Sequence, residues 1–167
     1  MTDTRAGSES TPAASLARVT AFLARHGLAE EIVMFGQSTK TAQLAADAIG
    51  CELGQIAKSL VFVADGRPVV ALVAGDRRGD GAAIACELGA SKAKMADAET
   101  VREATGYEVG GVSPFDLPAD LPVLVDDSLL RYQVVYPAAG TSSSIVRLSL
   151  DQLLALSGGR VARISQP

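Results

Sequence analysis

Ile56-Ala57-Lys58-Ser59-Leu60-Val61-Phe62-Val63-Ala64, then Asp65-Gly66, then Pro68-Val69-Val70-Ala71-Leu72-Val73-Ala74, is the stretch that decides the fold. Two apolar runs of strand length flank an Asp-Gly pair, the chemistry that a two-residue hairpin turn demands. Alternate residues of a strand share a face. Lys58 therefore lies with Ile56, Leu60 and Phe62, while Ala57, Ser59, Val61 and Val63 lie on the other side. Both faces are largely apolar, so this strand is expected at the centre of a sheet.

Helical segments surround the hairpin. Thr11-Pro12 starts a helix whose apolar face is Leu16, Val19, Phe22 and Leu23, running to about His26 and stopped by Gly27. A second helix, from Thr39 or Lys40 to Ile49, turns Leu44, Ala45, Ala48 and Ile49 inward and ends at Gly50. Asp80 and Asp97 cap two more helices, closed by Gly89 and Gly106. Ser149 and Gln152 form a capping box for the last. Short strands are expected at Glu31 to Phe35, Lys92 to Ala96, Pro122 to Val125, Tyr132 to Tyr136, Ser144 to Leu148 and Val161 to Ile164. Interspersed helices and strands with one tight hairpin give a mixed α/β or α+β domain.

The chain of 167 residues suits one domain, expected over 11–167, behind a polar leader over 1–10 expected to be disordered. Apolar residues make up 48% and aromatics only 4%, so Ala, Val, Leu and Ile must build the core. Cys51 and Cys86 lack any framework or zinc spacing and read as buried thiols in a reducing compartment, the cytoplasm. No segment has the pattern of a signal peptide or a membrane span. The net charge of −4 argues against a protein that wraps long DNA or RNA, but permits one that handles only an RNA end.

Conventional catalytic groups are scarce. The single histidine, His26, reads as a cation at a helix end, and a catalytic metal would need more ligands than the chain readily supplies. Neither a metal nor a cofactor is expected. Asp126-Asp127 is either a turn or a place where Asp126 points into a site. Lys58 either snorkels from the strand or stands at the edge of a cleft, because an ammonium is expensive to desolvate. Gly110-Gly111-Val112-Ser113-Pro114-Phe115 is a loop. Its glycines either serve a turn or bring main-chain amides close to a ligand. Arg77 and Arg78 follow a strand and are either solvated or phosphate contacts.

Together these pieces resemble the YbaK/prolyl-tRNA-synthetase-associated domain family, over about Glu31 to Leu156. The matching stretches are Ser38-Thr39-Lys40-Thr41-Ala42, Gln55 to Phe62, Ala74-Gly75-Asp76-Arg77, Leu88-Gly89-Ala90 and Thr105-Gly106-Tyr107. Gly110 to Phe115, Val125-Asp126 and Ala139-Gly140 follow in order. The resemblance implies a curved, partly barrel-like mixed sheet packed with helices. It implies hydrolysis of mischarged aminoacyl-tRNA, often in trans beside a synthetase, with no membrane or DNA partner. The family's lysine corresponds to Lys58, and its glycine-to-proline loop to Gly110 through Pro114, with Gly110 at the functional glycine.

On that resemblance, Lys58 would position the CCA end while the Gly110 and Gly111 amides hold the ester carbonyl. Lys40, Arg77 or Arg78 would help with the RNA. Phe35, Thr41, Ser59, Ser113, Pro114 and Asp126 would line the substrate site. The chain has Met34-Phe35 where the cysteine-clearing type has a Tyr, Ser59 where it has Thr, and a serine-rich segment after Gly140. These differences leave Cys, Ala or Ser open as the amino acid removed. Two other readings are a non-catalytic binder of a tRNA 3′ end or synthetase, and a hydrolase of another small acyl ester.

Overall fold

The computed structural model describes residues 11–36 and 41–167. The expected leader, and Ser38, Thr39 and Lys40 of the first matching stretch, lie outside the described residues. The hairpin stretch forms β2 (Ile56–Ala64) and β3 (Arg67–Ala74), antiparallel in the register Ala64↔Arg67 to Ala57↔Ala74. Asp65 and Gly66 both take positive φ, 47° and 81°, as the tight turn requires.

The main sheet curls through seven mixed strands. Its order is β10 (Arg160–Ala162), β6 (Val123–Asp126), β3, β2, β7 (Val134–Pro137) and β9 (Leu148–Ser149), with β5 (Ala93–Met95) also on β2. Two small antiparallel pairs flank it: β1 (Ile32–Met34) with β8 (Ser144–Val146), and β4 (Arg78–Gly79) with β11 (Ser165–Gln166). The helices are α1 (Pro12–Ala24), α2 (Ala42–Ile49), α3 (Gly81–Leu88), α4 (Ala98–Thr105) and α5 (Leu150–Ser157). The expected mixed class and curved sheet are what the chain adopts.

β3 is buried on both faces. Val70, Leu72 and Ala74 join the larger core with α1, α4 and α5, while Val69, Ala71 and Val73 join a second core under α3 and Ile164. Each fully buried Val or Leu contributes about 1.5–3 kcal/mol, which explains why this hairpin organises the molecule.

Helix boundaries follow their caps. Thr11, Thr41, Asp80, Asp97 and Ser149 each accept main-chain N–H groups, and Gly50, Gly89, Gly106 and Gly158 close their helices at positive φ. Two expectations need correction. α2 buries Ala45 and Ala46, leaving Leu44 half exposed and Ala48 on the surface, because its inward face is rotated by one position. Both cysteines are free, but Cys86 is exposed and Cys51 only half-buried. α3 buries Ile84 and Ala85, which turns Cys86 outward.

One edge of β2 is continuous with β3, and the other is broken. β7 pairs in parallel with Ile56 and Ala57 only, and β5 pairs with Phe62 to Ala64. Pro137 ends β7 and has no N–H with which to extend the ladder. At the other side Asp97 caps α4 and draws the chain away from β2. Among the described residues no strand pairs with Lys58, Ser59 or Leu60 on that edge.

Candidate active site

A cavity of about 290 Å³ occupies this break. Ile56 to Val61 form one wall, Thr41, Ala42 and Ala45 of α2 another, and Met95, Ala96 and Val101 a third. Val109, Gly110 and Val112 approach from the glycine loop; Tyr136, Ala138, Thr141, Ser142, Ser144 and Ile145 close the remaining side. The lining is mainly apolar with a few polar groups, the usual build of a small-molecule site.

The gap exposes main chain as well as side chains. Gly75 donates its N–H to the Ile56 carbonyl (2.8 Å), and Ala96 donates to the Val61 carbonyl (2.9 Å). Antiparallel bonding alternates along a strand, so even-numbered residues of β2 face β3 and odd-numbered ones face the broken edge. Ser59 thus directs its N–H and C=O into the gap. Its hydroxyl is buried and has no partner among the described residues.

Lys58 is half-buried, and its ammonium donates to the Arg77 carbonyl. Burial pushes its pKa down, and the nearby Asp76 carboxylate opposes that shift. Asp76 is itself held by Arg131 through two bonds of 2.7 and 2.9 Å, which lower its pKa. The turn after β3 therefore fixes the cation from behind and leaves it at the cavity wall.

Gly110 is exposed, with φ of +87°, in the turn closed by Gly111 donating to the Glu108 carbonyl (3.0 Å). A Cβ on Gly111 would fall 2.8 Å from the Thr141 Cα, so only glycine lets the loops at 110 and 140 stack. Thr141 and Ser144 share a hydroxyl contact of 2.6 Å beneath the cavity.

The structure brings Thr41, Lys58, Ser59 and Gly110 to one cavity. Thr41 also caps α2, accepting from the Leu44 N–H. The other five expected residues do not line it. Phe35 lies beside it, donating its N–H to the Ser143 carbonyl (2.8 Å). Gly111 has its N–H engaged by Glu108, which removes it as a second holder of an ester carbonyl. Ser113 and Pro114 are buried beneath the loop.

Asp126 is fully buried and is a structural turn cap, not a substrate ligand. It accepts from the Ser128 N–H and hydroxyl, the Ile164 N–H (2.8 Å) and the Ser165 hydroxyl (2.7 Å). Burial alone would raise its pKa, but these donors hold it below the ordinary value. His26 packs against the Phe22 ring, away from the cavity.

Sequence reasoning missed Tyr136, Ala138 and the Thr141–Ser144 pair as lining. The polar run after Gly140 was the available signal. Among the described residues, no three His, Cys, Asp or Glu side chains converge as a metal site would require. No helix among them is long and apolar enough to cross a membrane.

The aminoacyl-tRNA editing domain family matches residues 37–156. The chain belongs to this family. Its expected enzyme class, an aminoacyl-tRNA deacylase, is the one that membership carries. The chain is 39% identical over 132 residues to the uncharacterized protein YwhH of Bacillus subtilis, covering 78% of this chain and 83% of that one. It is 29% identical over 126 residues to the protein named "Putative Cys-tRNA(Pro)/Cys-tRNA(Cys) deacylase EbsC" of Enterococcus faecalis, covering 75% and 77%. A crystal structure described as "a putative trans-editing enzyme for prolyl tRNA synthetase" superposes with a TM-score of 0.84 at 38% identity. That match covers 92% of this chain and 98% of the other.

Proposed function

We propose that this editing domain acts in trans in the cytoplasm, hydrolysing the ester of tRNA mischarged with a small amino acid such as Cys, Ala or Ser. The observation that carries this reading is that Lys58 and Gly110 open into one small, mainly apolar cavity at the broken edge of β2. An aminoacyl ester is already activated, so cleavage depends on positioning and charge stabilisation rather than on a strong nucleophile.

Lys58 holds the phosphate or terminal adenosine of the CCA end. The Gly110 amide, without that of Gly111, meets the ester carbonyl as negative charge develops. Water adds to the carbonyl carbon, with the neighbouring ribose hydroxyl as a proton relay. The bond from that carbon to the ribose oxygen breaks, the ribose oxygen takes up a proton, and the amino acid leaves as its carboxylate. Ala57, Val61 and Ala138 leave space for a short side chain, and Ser59 supplies a polar group beside it. Arg77, and Lys40 before α2, add charge for the RNA. A prolyl-tRNA synthetase is the favoured partner. The similarity to the structure described as "a putative trans-editing enzyme for prolyl tRNA synthetase" supports that choice.

The test is a panel of mischarged tRNAs, with release of each amino acid measured over the buffer rate. At least one small amino acid should be released, and Lys58→Ala should lose about a hundredfold in turnover. A parent protein that binds uncharged tRNA tightly but releases nothing would instead be a binding module. Affinity for an RNA acceptor end should weaken only mildly with salt, a log–log slope of about −1.4 for two phosphate contacts.

A further inference from the structure

Arg18 lies on α1, before the residues that the family matches, and does not line the cavity. Its guanidinium nevertheless brackets the glycine loop. It donates to the Thr105 carbonyl (2.9 Å) before the loop, and after it to the Asp116 carboxylate (2.9 Å) and main-chain carbonyl. The same group lies 4.2 Å above the ring of Tyr107. Tyr107 is fully buried and donates its hydroxyl to the Phe115 carbonyl (2.7 Å), tying the loop's ends together a second time.

Local backbone features accommodate this bracket. Asp116 takes a φ of +55°, a conformation that a non-glycine residue keeps only when its surroundings hold it. A Cβ on Gly106 would fall 2.7 Å from an Arg18 guanidinium nitrogen. α1 also backs the neighbouring loop, since a Cβ on Gly140 would fall 2.8 Å from the Ser15 carbonyl oxygen. Phe22 of α1 stacks on Phe115 with ring centroids 5.5 Å apart.

We propose that Arg18 is a positioning residue for the reaction, clamping both ends of the 106–115 loop so that the Gly110 amide stays aimed into the cavity. This rests on the deacylase reading, because that reading gives the Gly110 amide its role. An aligned donor matters because a small displacement of a reacting group forfeits much of the benefit of positioning.

Two measurements on the whole protein test it: steady-state kinetics on a responsive mischarged tRNA, and hydrogen exchange of the free protein. Arg18→Ala should lower kcat about tenfold with KM within about twofold. It should speed exchange over 106–116 while β2 and β3 keep their protection. Arg18→Lys should recover part of both effects, since an ammonium can reach one bracket but cannot span the two.

An unchanged kcat in Arg18→Ala overturns the proposal. So does protection lost evenly across the molecule, which would mark a merely structural role. If Arg18→Ala does not fold, Arg18→Lys and Asp116→Asn carry the same comparison. If the parent releases no amino acid from any tRNA, the deacylase reading fails on its own. Exchange then decides the clamp: a loosened loop upholds it and an unchanged loop overturns it.

Discussion

Lys58 sits where a sheet would ordinarily place an apolar side chain, and burial lowers its pKa against the pull of Asp76. The charged form is therefore disfavoured, and the ammonium is lost at a lower pH than in an exposed lysine. Affinity for uncharged tRNA should fall on the alkaline side at a pH below the ordinary lysine value of 10.5. Asp76→Asn should move that limb lower still, because it removes the anion that favours the ammonium. A titration by fluorescence anisotropy reads both, and a limb at or above the ordinary value would show that Lys58 is not the group involved. Stability should run the other way: Lys58→Met should melt no lower than the parent while losing turnover, since a half-buried charge is replaced by an apolar chain of similar reach. Lys58 was legible because a cation inside an otherwise apolar strand is conspicuous. Asp126 was misread because sequence does not separate an acid that caps a buried turn from one that faces a ligand; only the Ile164 and Ser165 donors, from a remote segment, settle it.

At the scale of elements, the site depends on two glycine loops stacked one on the other. Gly110 and Gly111 are adjacent in sequence but constrained differently. A Cβ on Gly110 has open space, its nearest neighbour being the Ser142 Cβ at 3.9 Å, so Gly110→Ala meets only the strain of φ at +87°. That should cost about 1–2 kcal/mol. Gly111→Ala drives a methyl into the Thr141 main chain and should cost about 1–3 kcal/mol by separating the loops. Denaturant melts give both figures. Turnover should fall in each, and a Gly111→Ala protein as stable as the parent would mean that the stack is dispensable. Helix ends were legible here because Asp80 and Gly89, Asp97 and Gly106, and Ser149 and Gln152 each carry local capping chemistry. The inward face of α2 was not, because only eight residues at a cavity wall give too short a period to fix its rotation.

The whole molecule is closed by its last strands. Ile164 is fully buried in the core under α3, and the Asp126 carboxylate anchors its N–H. Asp126→Ala should cost about 3 kcal/mol, since it strands several buried donors at once. Asp126 and Asp76 both have folded pKa values below their ordinary ones. The stability they contribute is fully present above the usual carboxylate value of about 3.9. It is lost as pH falls through the lowered folded values. Acid unfolding followed by circular dichroism should begin below about pH 4 in the parent, and the stability of Asp126→Ala should fall less steeply with acid over that range, with an unchanged slope arguing against the anchor. A closing strand at Val161 to Ile164 was legible in the sequence, but its anchor on Asp126 was not, nor was the parallel pairing of β7 beside β2. Neither follows from local pattern, because residues 38 positions apart must meet in the first and 80 in the second.

An unpaired strand edge ordinarily invites another chain to add itself, which is how sheets begin to aggregate. Among the described residues no strand covers three such residues of β2, an opening of about 10 Å at the rise of an extended chain. β7 and β5 stand at either end of it and act as stops. A strand of ordinary length cannot seat between those stops, whereas a compact acyl group can. The interruption that leaves the cavity open also leaves no long, continuous edge there for a second copy to extend.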